Sequence, residues 1–432
     1  IDTDLNTDPD SPADVPLNLM LPAIQQEMGY NLAGNDLVRT SNIWMQQFDG
    51  VDRQSFTEAR YQLLPADVNN VWNAFYTGIF MNSKVFTNKA LAKESPHNAG
   101  VGKVMTATTL GITTDLFGDM PFSDAFKGNE NVLKPKFDTQ ETLYTTINTL
   151  LDEAITDLSS TTNTIAVGGD VVYAGNVAKW MKAAYSIKAR YALQLSLVNG
   201  NTAYTDALTA ATNGFSSNLD DFMVPWNADN KNPIFQFMEQ RTDIRMCATL
   251  IDMMKSNSDP RLPFYALVDA GGQYTGSIAG SENDLASKPG NYIAGATAPS
   301  VIMSYSELKF IQAEAYFRLG QTAPAQAAYE AAVAASVLKV TGNANTAWLA
   351  ANINGVTVTL NLILSQKYIA TFGTNQAFAD YRRTGLPVIG LPLGATLPSM
   401  PVRFPYGQEE ITYNGANVPD VNISTKLWWD NN

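Results

Sequence analysis

Apolar residues recur at three- and four-residue intervals along most of the chain, the signature of helices with one buried face. Residues 19–28 predict a short helix. Residues 66–91 place Val68, Val71, Trp72, Phe75, Ile79, Phe80 and Phe86 on one stripe, and a second helix follows at 101–112, with Ser95–Pro96 as the turn between them. Segment 115–121, DLFGDMP, predicts a loop. Asp138 and Glu141 form a capping-box pattern ahead of Tyr144, Ile147, Leu150, Leu151, Ala154, Ile155 and Leu158. A long helix is expected at 176–197, with Trp180, Ala184, Ile187, Tyr191 and Leu195 on a shared face, and a short partner at 204–211. Ser304 and Glu307 repeat the capping pattern for a helix at 304–319, which Gly320 stops. Thr322 and Pro324 start another, running to about Val337; a last pair covers 362–372 and, after Gly373, the stretch to Arg382.

The spacing of Ala315, Gly320, Ala325, Ala328, Tyr329 and Ala332 approximates a tetratricopeptide helix–turn–helix, with small residues where two helices approach and glycine where the chain turns. Pairs at about 66–112, 138–211, 304–337 and 362–383 predict an all-α architecture of such units. Between them lie stretches of poor helical period at 29–65, 213–233 and 263–300, and a polar, extended segment at 1–18. Long non-helical insertions in a helical body are where function concentrates.

Composition narrows the chemistry. Of 432 residues, 28 are Lys or Arg against 41 Asp or Glu, a net charge of −13 that disfavours nucleic-acid binding. One histidine and one cysteine leave no disulfide framework and no cluster for zinc or non-haem iron, so no metal and no cofactor are expected. No apolar run approaches a bilayer span. The polar opening, IDTDLNTDPDSPADVP, reads as the start of a mature chain whose signal has been removed. A surface with 16% charged residues and abundant Asn, Thr, Ser and Gly points outside the cytoplasm.

No H-E-x-x-H, G-x-S-x-G or G-x-x-x-x-G-K-[ST] occurs. His97 reads as an exposed loop residue between two helices, and Cys247 as a small buried hydrophobe in a helix. Asp115 with Asp119, and Asp220 with Asp221, each flank a turn and are the acid pairs a glycoside hydrolase could use, yet turn and cap hydrogen bonding accounts for Asp115 and Asp119 more simply. Asp2, Asp4, Asn6 and Asp8 imitate a calcium loop but lack its glycine and its bidentate glutamate, Thr7 and Ala13 standing there. Asp380, Arg382 and Arg383 suit an ion pair fixing a helix end better than a clamp for an anionic ligand.

Aromatic side chains remain, since a neutral sugar offers apolar C–H faces to flat rings and hydroxyls to amides and carboxylates. Aromatics on the helical stripes belong to the core. Those in the irregular stretches are the candidate ligand contacts: Trp44, Phe48, Asp52 and Arg53; Trp226 and Asn230; Tyr274 and Tyr292.

A set of segments then gives a more specific reading: DLNTDPDSPADVP at 4–16, LPAIQ at 21–25, DLFGDMPFSDAF at 115–126, FDTQETLYTTINTLLDEAITDL at 137–158, GNVAKWMKAAYSIKARYAL at 175–193, SDPRL at 258–262, YSELKFIQAEAYFRLG at 305–320, DYRRTGLP at 380–387 and KLWWD at 426–430. In order and spacing the chain resembles the SusD-like and RagB-like nutrient-binding outer-membrane lipoproteins of Bacteroidetes. The resemblance implies a single domain over 1–432, all-α, with a tetratricopeptide-like scaffold and one irregular ligand face. It implies a non-enzymatic protein at the outer membrane, facing outward. Its anchor would be a lipidated N-terminal cysteine absent from this chain. It would hand glycan, or in some branches peptide, to a SusC-type TonB-dependent transporter. The candidate contacts carry no family motif, so none follows from the resemblance. Two other expectations compete: a two-carboxylate glycoside hydrolase, and a tetratricopeptide scaffold holding a protein in its groove.

Overall fold

The computed structural model describes residues 15–430, so the calcium-like Asp2, Asp4, Asn6 and Asp8 lie outside the described residues. Helix takes up 56% of the structure and strand 5%, which makes the fold all-α. The helix Pro96–Phe117 packs between Met81–Ala92 and Gln140–Leu158; Val177–Gln194 and Asn201–Ala211 extend the layer to the pair Tyr305–Arg318 and Thr322–Thr341.

That last pair shows how sequence becomes packing. Ser304 Oγ accepts the Glu307 N–H at 3.2 Å and starts the first helix. Gly320, at φ +73°, lets the chain reverse through a conformation that a side chain would disfavour. Ala313, Ala325, Ala328 and Ala332 then bring the helices together around Phe310, Tyr329 and Val333, in a core cluster separate from the larger one that joins most of the chain. The capping box is only half made: the Glu307 carboxylate turns to Arg190, whose Nε and Nη2 donate to it at 2.7 and 2.8 Å.

Four expectations change in detail. The run at 66–91 is helical throughout but in three pitches: a 3₁₀ turn at Pro65–Val68, α-helix at Asn69–Ala74, a π segment at Phe75–Phe80 and α-helix again to Ala92. The helix expected at 101–112 absorbs the start of the predicted 115–121 loop and ends at Phe117. The 140–158 helix is capped by Thr139, because Asp138 is occupied elsewhere: it accepts from the backbone of Phe122 and Ser123 at 2.9 and 2.7 Å and from the Ser123 hydroxyl at 2.6 Å. Stretch 29–65 is largely ordered, with helices Asp36–Trp44 and Arg53–Ala59 and the strand Phe48–Gly50, which pairs antiparallel with Ile244–Met246. The first helix escaped the periodic pattern because every residue from Leu37 to Trp44 is buried, leaving no polar face to alternate with.

The other insertions supply a second two-stranded sheet. Phe222–Val224 pairs antiparallel with Ser300–Met303, with an irregularity between Phe222 and Met223. The second strand runs directly into Ser304, the cap of the alanine-rich pair.

Candidate functional site

Past the first of these strands the chain turns back to begin the helix Pro233–Gln240, and the turn is built from its own side chains. Asn227 Oδ1 accepts from the backbone of Asp229 and Asn230 at 2.9 and 2.8 Å. Asn232 caps the helix, accepting from Phe235 N at 3.0 Å and donating to Ala298 O at 2.8 Å. Trp226 is half-buried at the start of the turn, its Nε1 donating to Ser300 Oγ at 2.9 Å. Beneath it passes the π-helical segment Met28–Leu32, where a Cβ on Gly29 would lie 2.7 Å from Val224 and 3.1 Å from the Trp226 ring. Only glycine permits that approach.

The result is a groove of about 400 Å³. Trp226 and half-buried Tyr30 supply aromatic surface; Gln26, Asn230, Gln236 and Gln240 supply amides; Glu27, Asp229, Glu239 and Lys231 supply charge. Lys231 Nζ lies 3.4 Å from Glu239 and 5.1 Å above the Phe235 ring. Burial, then the carboxylates of Asp36 and Glu27, raise the Tyr30 phenol above its ordinary range. Flat apolar surface ringed by amide and carboxylate groups can hold a ligand that is apolar on its faces and polar at its edges.

The eight candidate contacts do not converge. Only Trp226 and Asn230 share this groove. Trp44 and Phe48 belong to the core, a correction to the sequence expectation: both are fully buried. Trp44 donates to Glu58 O at 3.1 Å and meets Phe378 and Phe404 edge-on, and Phe48 meets Phe372, so neither can offer a face to a ligand. Asp52 and Arg53 are exposed. Asp52 caps the helix Arg53–Ala59 by accepting from Arg53 N at 2.8 Å, and Arg53 Nη1 lies 2.5 Å from Asp243. Arg53 lines a separate depression of about 510 Å³ with Gln54, Gln62 and Asp67. Tyr274 and Tyr292 are half-buried against the main core, Tyr292 with its ring centroid 5.1 Å from that of Tyr265. Sequence reasoning missed Tyr30, Gln26, Glu27, Gln236, Glu239 and Gln240. The available signals were the glycine before Tyr30 and the Gln236–Gln240 spacing, which sets two amides on one helix face.

The acids considered for hydrolysis are committed elsewhere. Asp115 is buried, accepts from Tyr144 Oη at 2.5 Å and Trp429 Nε1 at 3.0 Å, and is pushed up to about 6 by burial. Asp119 accepts from Gln140 N at 2.8 Å. Asp220 accepts from Lys182 Nζ at 2.9 Å and from Ser216 N at 2.8 Å, and Asp221 accepts from Tyr305 N at 2.6 Å beside Lys339. Arg383 is buried against Glu314 and Asp380, and Arg382 donates to the carbonyls of Asp115 and Val402 at 2.5 and 3.0 Å, so this arginine pair holds the fold together. His97 sits half-buried in the first turn of Pro96–Phe117, its Nε2 2.9 Å from Ser160 O, where a loop position was expected. Cys247 is buried at the cap of Ala248–Lys255, its thiol pushed up to about 12 by burial. Among the described residues no three His, Cys, Asp or Glu side chains gather as a metal site, and no helix is long and apolar enough to cross a membrane.

Solved structures share this architecture over nearly the whole chain. A SusD/RagB family protein from Bacteroides thetaiotaomicron superposes with a TM-score of 0.82 at 24% identity, over 96% of this chain and 99% of that one. A SusD homologue from Bacteroides uniformis gives 0.81 at 23% identity, over 97% and 100%. A chitin-binding SusD homologue from Flavobacterium johnsoniae gives 0.79 at 23% identity, over 96% and 97%. No curated protein matches the chain. At these identities the superpositions establish the fold. Membership comes from the sequence profile of the SusD-like family, described as starch-binding proteins associating with the outer membrane, which matches residues 9–407; the chain belongs to the SusD-like family.

Proposed function

We propose that this protein captures oligosaccharides at the cell surface without chemically altering them, and delivers them to a SusC-type TonB-dependent transporter in the outer membrane. Its attachment would be a lipid on a cysteine preceding this sequence. The observation that carries the reading is the groove itself: Trp226, held by Ser300 and backed by Gly29, stands with Tyr30 among amide side chains on the body of a SusD-like protein. Because the strand pairing and the cap at Asn232 fix the turn, the ring is largely pre-oriented and little conformational entropy is lost on binding.

Titration calorimetry with starch and chitin oligosaccharides tests capture. Trp226→Ala is expected to weaken binding at least about tenfold while leaving the unfolding transition in place. Unchanged affinity would reject this groove. Release of new reducing ends during the titration would reject the non-enzymatic reading. Delivery is tested by purification from detergent-solubilised outer membranes, where a TonB-dependent transporter is expected to accompany the protein.

A further inference from the structure

The charges around Trp226 are unbalanced. Three carboxylates (Glu27, Asp229 and Glu239) face one lysine, and Lys231 is already engaged by Glu239 at 3.4 Å and by the face of Phe235. Glu27 is held in place by Asn31, whose side-chain amide donates to it at 2.7 Å. An indole face attracts cations through its quadrupole, so the ring and the acids favour the same kind of ligand by independent means. An anionic ligand would meet the reverse: repulsion from the carboxylates, with the one cation already engaged.

Building on the saccharide reading above, we infer that this groove selects amino sugars bearing free ammonium groups over neutral sugars, and excludes uronate- and sulfate-bearing chains. The ammonium is placed beside Trp226 among the carboxylates of Glu27, Asp229 and Glu239, while the remaining hydroxyls meet Gln26, Gln236 and Gln240.

Calorimetry at about pH 6, where carboxylates are ionised and sugar amines protonated, separates the possibilities with three probes of matched length: glucosamine, N-acetylglucosamine and galacturonate oligomers. The expected order is glucosamine tightest, by about tenfold over the acetylated oligomer, with no detectable galacturonate binding. High salt and the Glu27→Gln/Glu239→Gln variant should each shrink that preference while leaving acetylated binding nearly unchanged. Trp226→Ala should weaken both binding probes. Equal affinity for the free and acetylated oligomers, or a preference that survives the double substitution, overturns the charge selection and leaves saccharide capture standing. Failure of all three probes to bind overturns the charge selection, and failure of the starch oligosaccharides as well overturns saccharide capture in this groove.

Discussion

The alanine-rich helix pair at 305–341 and the turn at 225–231 use the same residue types to opposite ends. Around the helix pair, charge is buried and matched. Arg383 meets Glu314, Arg190 meets Glu307 and Arg261 meets Asp259, with none of the six side chains more than 4% exposed. Each carboxylate takes more than one donor nitrogen from its arginine, which offsets the large cost of removing charge from water. Around the turn, charge is exposed and loosely matched, and the aromatic ring stands half out of the protein. One region spends its charges on holding itself together; the other shapes its turn with Asn227 and keeps most of its charges at the surface.

Substitution on the two sides should therefore separate stability from binding. Arg383→Ala strands Glu314 in the interior and is expected to cost about 3–5 kcal/mol in urea unfolding, whereas Lys231→Ala, which removes an exposed pair, should stay within about 0.5 kcal/mol. Comparable losses from both would end the contrast.

A buried carboxyl with no such partner sharpens it. Glu58, in the helix Arg53–Ala59, has an Oε2 without a hydrogen-bond partner, and burial raises it from 4.5 to about 7, against the lowering influence of Arg39. Because its folded pKa lies above its unfolded one, the folded state binds the extra proton between those values, and the stability from this residue falls as pH rises through that window. Relative to Glu58→Gln, the wild type should lose about 1–3 kcal/mol between pH 4.5 and about 7 in denaturant midpoints taken across pH. Parallel curves would mean that the carboxyl is better solvated than its burial indicates.

At the join between the regions the effect is expected to be smaller than that of either buried charge. Ser300→Ala removes the hydrogen bond that holds Trp226 and should cost about 1 kcal/mol of stability, while weakening saccharide binding severalfold through a less fixed ring. A loss of stability with affinity intact would show that the ring's orientation is irrelevant to the ligand.

The same division explains what the sequence could disclose. The pair at 305–341 was legible because Ser304, Gly320 and the alanine spacing act over a few residues, and local signals survive in one dimension. The helix Asp36–Trp44 was not, since burial on all sides erased its period. Trp44 and Phe48 were misplaced for that reason: their stretch looked irregular, so its aromatics looked available. Asp138 missed its helix because the 120–123 loop, brought close only by folding, claimed its carboxylate. Of the groove, Trp226 and Asn230 could be picked out by composition, but Tyr30, Glu27 and Gln26 come from a segment some 200 residues away in the chain. Nothing local to either segment announces that they meet.

The strand Phe222–Val224 and the Asn232 cap fasten both ends of the turn to parts of the molecule that fold for their own reasons. The residues between them form an exchangeable tip. Insertions or replacements there change what is presented beside Tyr30 without touching the strand pairing, the helix or the alanine-packed pair, and the cost of closing a somewhat longer loop grows only slowly with its length. A lineage could thus remake this groove through a handful of codons while inheriting the rest of the protein unchanged.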